Sequence, residues 1–145
     1  MDGILRTIAL QIRRGWIEEM ESIGDTYELI YKTRGNGIAS RIRRARGIWA
    51  RTIGLMGRRS LDPDEGLWIV PCNGIHTIGM RFSIDVVVLD CNMRVLKIVD
   101  GLRPFHVVVG VRGGHSVLEL SAGRASTVSV GDELDLTTSS ARTSE

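Results

Sequence analysis

The sequence has few cysteines and no long apolar run. Cys72 and Cys91 are its only cysteines, too few for a disulfide scaffold and without the CxxC spacing of a zinc site. Arg, Asp or Gly interrupts every apolar run before it reaches the roughly 18 residues that a membrane-spanning helix needs. The N-terminal residues also lack the apolar stretch and small-residue cleavage site of a secretory signal. We therefore expect a cytoplasmic protein with no structural metal and no membrane span.

The composition is that of one folded domain. The 145 residues are 43% hydrophobic and 25% charged, which suffices for a packed core and is too apolar for a disordered chain. We predict three parts: a helical extension over residues 1–25, one β-rich domain over residues 26–136, and a disordered polar tail over residues 137–145.

Near the N-terminus, apolar residues recur at three- and four-residue spacing. They are Ile4, Ile8, Ile12, Trp16, Met20 and Ile23. This spacing predicts an amphipathic helix over residues 3–22. Packing on the domain, association with a membrane surface and binding to a partner are all compatible with its apolar face.

The next segment indicates a β-hairpin. Tyr27, Leu29 and Tyr31 alternate with polar neighbours, as in a strand with one buried face. Asn36-Gly37 suits a type I′ turn, and residues 38–44 would form the returning strand.

A basic segment follows, with nine Lys or Arg and no Asp or Glu over residues 32–59. Residues 46–56 are predicted to form a short helix packed through Trp49. A basic face would lie opposite, formed by Arg44, Arg51 and Arg58 at seven-residue spacing. Such a face suits phosphate groups, although a solvated surface is the better explanation.

The rest of the chain is predicted to be almost entirely β-strand. Short β-branched or apolar runs, separated by Gly, Asn and Asp turn signals, cover residues 67–70, 75–82, 84–89, 95–99, 105–111, 116–120 and 133–136. We predict a mainly β (α+β) fold: an antiparallel β-sandwich or partly open barrel with one short packed helix and the N-terminal helix.

The densest group of chemically versatile side chains consists of His76, Met80, Arg81 and Asp85. In an unbroken strand, His76 and Met80 would share one face while Arg81 and Asp85 shared the other. Asp85 lies in an apolar run, so it is either a buried structural carboxylate held by backbone amides or an Arg, or a site carboxylate.

Other candidates leave several roles open. His76 is a potential ligand, general base or structural hydrogen-bonding group. His115 and Glu119 alternate onto one face and could join it, but no dense metal motif such as HExxH is present. Cys72 precedes His76 by four residues, yet a partly buried free thiol explains it better than a Cys-His nucleophile. No phosphate loop or other cofactor motif occurs, so no cofactor is predicted.

An ordered series of short motifs runs through the chain. It comprises Gly54-Leu55-Met56-Gly57-Arg58, Glu65-Gly66-Leu67, Pro71-Cys72, Ile75-His76-Thr77, Gly79-Met80-Arg81-Phe82, Ile84-Asp85-Val86, Leu89-Asp90, Leu102-Arg103-Pro104, Leu118-Glu119-Leu120, Ala122-Gly123 and Gly131-Asp132. This series resembles the domain of unknown function 192 family over roughly residues 26–136. The resemblance implies a small β-rich domain with no agreed activity, cofactor or substrate. Ser83 and Ser121 stand where the family usually has Pro.

Three functional hypotheses follow. The first is a non-enzymatic binding or accessory module with a groove near His76, Arg81 and Asp85 for a small acidic ligand or a protein partner. The second is a hydrolase-type enzyme that uses His76 with Asp85 or Glu119. The third is an Arg-dependent binder of nucleic acid or an anionic surface, which the modest net charge of +2 and the single nearby Trp49 argue against.

Overall fold

The fold, taken from a computed structural model, is described for residues 3–4, 6–7, 10, 26–33, 35–45, 55 and 58–138. Within these residues the strands are β1 (Thr26–Tyr31), β2 (Gly37–Ala45), β3 (Glu65–Ile69), β4 (Gly74–His76), β5 (Ile84–Leu89), β6 (Val95–Leu102), β7 (Val107–Val109), β8 (Ser116–Ser121) and β9 (Leu134–Thr138). No helix in this part of the chain is long and apolar enough to cross a membrane. The prediction of a β-rich fold is confirmed.

Seven strands form one mixed sheet in the order β6-β5-β8-β3-β2-β1-β9. Its pairs are antiparallel except β2 and β3, which run parallel. The prediction of a purely antiparallel fold is therefore wrong at this pair. The cause is the long connection between the two strands, which returns the chain to the end where β2 began, as a parallel pair requires.

The two edges of this sheet meet at one point. Arg94 and Glu133 form an isolated antiparallel bridge, and Leu134 N donates to Met93 O at 3.0 Å beside it. The edge strands β6 and β9 otherwise pair only with β5 and β1. The sheet consequently curls on itself without forming the continuous ladder of a closed barrel.

The two faces of the sheet carry separate hydrophobic cores. The inner core includes residues from both edge strands, so the sheet curls around it; its buried members are Leu29, Tyr31, Ile38, Ala39, Ile42, Val87, Leu89, Val95, Leu118, Leu120, Ala125, Val128 and Leu134. The outer core, on the opposite face, comprises Leu55, Leu61, Met80, Ile84, Val86, Val88, Leu102, Val108 and Val117. Strand β5 supplies both cores because its successive side chains point to opposite faces.

The remaining strands, β4 and β7, form a two-stranded antiparallel sheet, here called the ribbon. Ile75 and Val108 are directly paired in the ribbon, and both pack against the outer core. Their neighbours His76 and Val107, also paired, therefore lie on the opposite side of the ribbon.

Several predicted elements differ from the structure. The strand predicted over residues 105–111 covers only Val107–Val109, and the one predicted over residues 95–99 continues to Leu102. The strand predicted over residues 75–82 ends at His76, because Met80 N donates to Thr77 O at 3.1 Å and turns the chain. The alternation expected between His76 and Asp85 is lost there. The first hairpin turns before Asn36-Gly37, since Tyr31 N donates to Asn36 O at 3.0 Å and β2 already begins at Gly37.

The predicted helices fall mostly outside the described residues. Of residues 46–56 only Leu55 is described, and it lies in a turn. Of residues 3–22 only five are described; they have helical backbone, but no helix stands as an element in the described part, so the N-terminal helix is not supported. Strand β9 runs to Thr138, two residues beyond the predicted domain boundary.

The inner core leaves no room for a side chain at Gly66. A Cβ atom there would lie 2.6 Å from Ile42 Cδ1, 2.8 Å from Leu120 Cδ2 and 2.9 Å from the backbone oxygen of Glu119. We predict that Gly66→Ala lowers the free energy of unfolding by about 1–3 kcal/mol, because backbone and side chains must both shift. Urea unfolding would measure this. Gly37→Ala is the matched control, since its nearest neighbour would be Glu28 Oε1 at 3.4 Å, and equal effects would contradict the steric account.

Candidate functional site

Asp85 is buried and fully engaged by backbone amides. Its Oδ1 accepts a hydrogen bond from Gly101 N at 2.8 Å, and its Oδ2 accepts one from Ala125 N at 2.9 Å. The carboxylate thus ties β5 to the end of β6 and to the loop after β8. This geometry supports a structural role, since neither oxygen is directed at an open surface.

Glu119 is buried on the opposite face of the sheet. Its Cα pairs with that of Val86 in β5 and that of Leu67 in β3. Val86 belongs to the outer core, and Leu67 packs against it. No described residue hydrogen-bonds its Oε2, and burial raises the pKa of Glu119 to about 8. Asp85 and Glu119 therefore lie on adjacent strands but point into different cores.

His76 has neither of the carboxylate partners considered in the sequence. Its Nδ1 is buried without a hydrogen-bond partner among the described residues. The described part of the chain also brings no three His, Cys, Asp or Glu side chains together as potential metal ligands. The convergence of His76, His115 and Glu119 that a metal triad requires is not found there.

The remaining candidates are dispersed. Met80 is a buried member of the outer core, whereas Arg81 is exposed. The half-buried Cys72 thiol donates to Gly74 O at 3.0 Å, and Cys72 N donates to His115 O at 2.9 Å. These contacts place Cys72 at the base of the ribbon.

The predicted basic face is not formed by Arg44 and Arg58. Arg44 lies in β2 with its guanidinium carbon 5.2 Å from the centroid of the Trp68 ring. Arg58 instead donates to Glu65 Oε2 at 2.8 Å. Arg51 lies outside the described residues. The prediction extended the helical spacing of residues 46–56 to Arg44, but Arg44 belongs to a strand.

Glu65 organises a charged cluster that the sequence did not reveal. Besides Arg58, Arg43 donates to Glu65 Oε1 at 3.2 Å, and Arg41 lies 3.8 Å from the same oxygen. Burial alone would raise the pKa of Glu65, but the hydrogen bond from Arg58, that from the Asp62 amide and the positive charges hold it below its ordinary value. The cluster depends on the parallel pairing of β2 with β3, for which the sequence contains no signal.

Thr77 fixes the end of the ribbon. The buried Thr77 hydroxyl donates to Arg103 O at 2.6 Å and accepts from His106 N at 2.9 Å. Its backbone N donates to His106 O at 2.8 Å, and its backbone O accepts from Phe105 N at 3.0 Å. Four hydrogen bonds thus connect residues 103–106 to the hydroxyl, the backbone N–H and the backbone carbonyl of Thr77.

This arrangement displays apolar side chains to solvent. Phe105 is 73% exposed and has a φ of +63°, a left-handed conformation that is uncommon for a bulky residue. Val107 and Val109 on the outer side of β7 are 65% and 74% exposed, and Ile78 beside Thr77 is 50% exposed. We refer to Ile78, Phe105, Val107 and Val109 as the ribbon patch.

The glycines near residue 110 serve the ribbon and not a phosphate. Asn73 Nδ2 donates to Val111 O at 2.8 Å, and Asn73 Oδ1 accepts from Val111 N at 3.0 Å. A Cβ atom at Gly110 or Gly114 would collide with the Asn73 side chain. The chain therefore passes close to Asn73 only because both residues are glycine.

Comparison with known proteins identifies the class. The profile of the domain of unknown function 192 family, described as an uncharacterized ACR, matches residues 30–136. The chain belongs to this family, as the ordered motifs of the sequence indicated. No curated protein matches it.

Two solved structures are similar. One is a protein of unknown function from Novosphingobium aromaticivorans DSM 12444, with a TM-score of 0.66 and 19% identity over 76% of this chain and 83% of that one. The other is a putative transcription regulator from Sinorhizobium meliloti 1021, with a TM-score of 0.66 and 23% identity over 77% of this chain and 92% of that one. At these identities the likeness shows a shared fold.

We predict that Asp85→Asn destabilises the protein by about 1–3 kcal/mol, because an amide has one acceptor oxygen and would leave one backbone N–H unpaired. Thermal melting would measure the change. The matched control is Asp90→Asn, since Asn92 N and Arg94 N both donate to Asp90 Oδ1, an atom that asparagine retains. An Asp85→Asn protein as stable as this control would contradict the structural role.

We also predict that the stability of the protein depends on pH through Glu119. The folded pKa is about 8, above that of the unfolded chain, so the folded state binds more protons between these two values. Stability therefore falls as pH rises, by up to about 1.4 kcal/mol per pH unit. Glu119→Gln should match the wild type near pH 4.5 and exceed it increasingly toward pH 8 in chemical unfolding. Parallel stability curves for the two proteins would show that Glu119 is not held protonated.

Proposed function

We propose that the protein is a non-enzymatic binding module whose ribbon patch binds an acidic protein partner. The observation that carries this proposal is the exposure of Phe105. It occupies a left-handed conformation in which glycine would be less strained, and the hydrogen bonds around Thr77 hold it there. Strained, exposed residues of this kind concentrate at functional surfaces.

The rest of the patch supports the same role. Phe105 is followed by two outward-facing valines of β7, and Ile78 extends the apolar area beside Thr77. Exposed apolar side chains grouped in this way are typical of protein interaction sites, whereas scattered single ones are ordinary. An aromatic side chain among them would supply the buried anchor of an interface.

The charge around the patch indicates the partner's chemistry. The segments that build the ribbon and its turns, residues 71–82 and 103–115, contain three Arg, all three His of the chain, and no Asp or Glu. Arg81 and Arg103 are exposed near the patch. Such a surface complements a partner that combines apolar side chains with Asp or Glu.

The hydrolase hypothesis has less support. It requires His76 to work with Asp85 or Glu119, but Asp85 is bonded by two amides and both carboxylates are buried in different cores. A general base must reach both its orienting group and a substrate, and neither carboxylate has that access.

The nucleic-acid hypothesis also has less support. Arg41, Arg43 and Arg58 lie within 4 Å of Glu65 or Asp62 carboxylate oxygens, so much of their charge is neutralised locally. The Sinorhizobium protein is called a putative transcription regulator, but it is only 23% identical to this chain. That identity supports a shared fold and does not support DNA binding by this chain.

Phe105→Gly tests the proposal directly. Glycine accepts a positive φ, so this variant should be as stable as the wild type or more stable, by up to about 1 kcal/mol, while losing the anchor for the partner. Peptides selected from a random display library against the wild-type protein should be rich in Asp, Glu and large apolar residues. Calorimetry should show binding at least about tenfold weaker to Phe105→Gly and to Val107→Ser.

Val130→Ser is the control, because Val130 is 65% exposed but lies outside the patch; its binding should equal that of the wild type. Selected peptides without acidic residues, or peptides that bind Phe105→Gly normally, would refute the proposal. A large loss of stability in Phe105→Gly would instead show that Phe105 is structural.

A further inference from the structure

Three buried polar atoms on the inner face of the sheet lack hydrogen-bond partners. They are Arg44 Nε, Trp68 Nε1 and Ser116 Oγ, none of which has a partner among the described residues. Buried polar groups are almost always hydrogen-bonded, because an unpaired one loses its interaction with water without replacement. Three such atoms in one region therefore need an explanation.

The strand register brings these residues together. Arg44 in β2 pairs directly with Trp68 in β3, and the Arg44 guanidinium carbon lies 5.2 Å from the ring centroid. Trp68 pairs with Leu118 in β8, so Ser116, two residues earlier, is its diagonal neighbour at a Cα distance of roughly 7–8 Å. Side-chain alternation places all three on the face that carries the inner core. We call this group the Trp68 corner.

The chemistry of the three atoms defines what is missing. The Arg44 and Trp68 nitrogens are donors only, whereas the Ser116 hydroxyl both donates and accepts. The absent partner must therefore offer acceptor atoms. The described residues provide no ion pair for Arg44, whereas Arg41 and Arg43 on the same strand each contact a carboxylate. An anionic acceptor would satisfy the charge as well as the donors.

The Trp68 corner is surrounded by apolar side chains, some of them fully buried and others half-buried. Tyr27 contacts Trp68 edge to face, with ring centroids 6.0 Å apart. Leu118 and Leu89, the neighbours of Trp68 and Ser116 across the strands, are fully buried. Ser116 is buried as well, whereas Tyr27, Arg44 and Trp68 are half-buried. The three polar atoms are thus buried, while other parts of the Tyr27, Arg44 and Trp68 side chains reach the surface.

We propose that the Trp68 corner binds a small molecule with an apolar body and a carboxylate. The carboxylate accepts hydrogen bonds from Arg44 Nε, Trp68 Nε1 and the Ser116 hydroxyl, and the apolar body packs against the rings of Tyr27 and Trp68. This site is separate from the ribbon patch and does not rest on the proposed partner binding. A buried water molecule would satisfy the donors without creating an affinity for carboxylates, so the two explanations can be distinguished.

The test uses the full chain and phenylacetate as the probe. The indole Nε1–H resonance of Trp68 is assigned in a proton–nitrogen correlation spectrum by its loss in Trp68→Phe. Titration with phenylacetate should shift this resonance saturably. Neutral phenylacetamide should bind at least about tenfold more weakly, because the charge-assisted hydrogen bonds are lost.

Variants identify the groups responsible. Arg44→Met and Trp68→Phe, which removes the N–H but keeps an aromatic ring, should each weaken phenylacetate binding at least about tenfold, as followed by calorimetry. Ser116→Ala should weaken it severalfold. Arg43→Met is the matched control, because Arg43 is the adjacent residue on the opposite face of β2 and should leave binding unchanged. Circular dichroism would establish that each variant is folded.

Three results would overturn the proposal: no saturable shift of the Trp68 resonance, equal affinities for phenylacetate and phenylacetamide, or equal binding by Arg44→Met and Arg43→Met. The first result would indicate that water alone occupies the corner. Loss of binding to acidic peptides at the ribbon patch would have no bearing on this site.

Discussion

The buried carboxylate of Asp85 accepts hydrogen bonds where the pairing of β5 with β6 is irregular and from the loop that follows β8. Its two hydrogen bonds reach Gly101 at the end of β6 and Ala125 in the loop after β8. The first lies two residues before Arg103, whose carbonyl accepts a hydrogen bond from the Thr77 hydroxyl. The second holds the loop that brings Ala125 and Val128 into the inner core. One side chain therefore contacts both the end of β6, which leads into the ribbon, and the loop that completes the inner core.

Much of the fold could be predicted because strands with one buried face alternate in polarity. Strand β5 was predicted with its observed bounds, and β8 to within one residue. The parallel pairing of β2 with β3 could not be predicted, since it depends on how the intervening connection folds back. The end of β4 at His76 was also missed, because Thr77 turns the chain through bonds to residues 26 or more positions away.

The candidate site was predicted less well than the fold, because the contacts that define it join residues that are distant in sequence. The apolar neighbours of Asp85 correctly suggested burial, but its amide partners at residues 101 and 125 are distant in sequence. The exposure of Phe105 and Val109 was not predicted, because an apolar run in a short strand usually indicates burial. The ribbon has only one covered face, so Val107 and Val109 are exposed.

A ribbon patch that binds a partner must be open to solvent in the free protein. A soluble paramagnetic probe, which broadens the resonances of exposed nuclei, measures this on the wild-type protein. The side-chain resonances of Phe105, Val107 and Val109 should broaden as strongly as that of the exposed Val130, while buried Val87 should remain sharp. Protection of the patch comparable to that of Val87 would contradict partner binding at this surface, because the patch would already be covered.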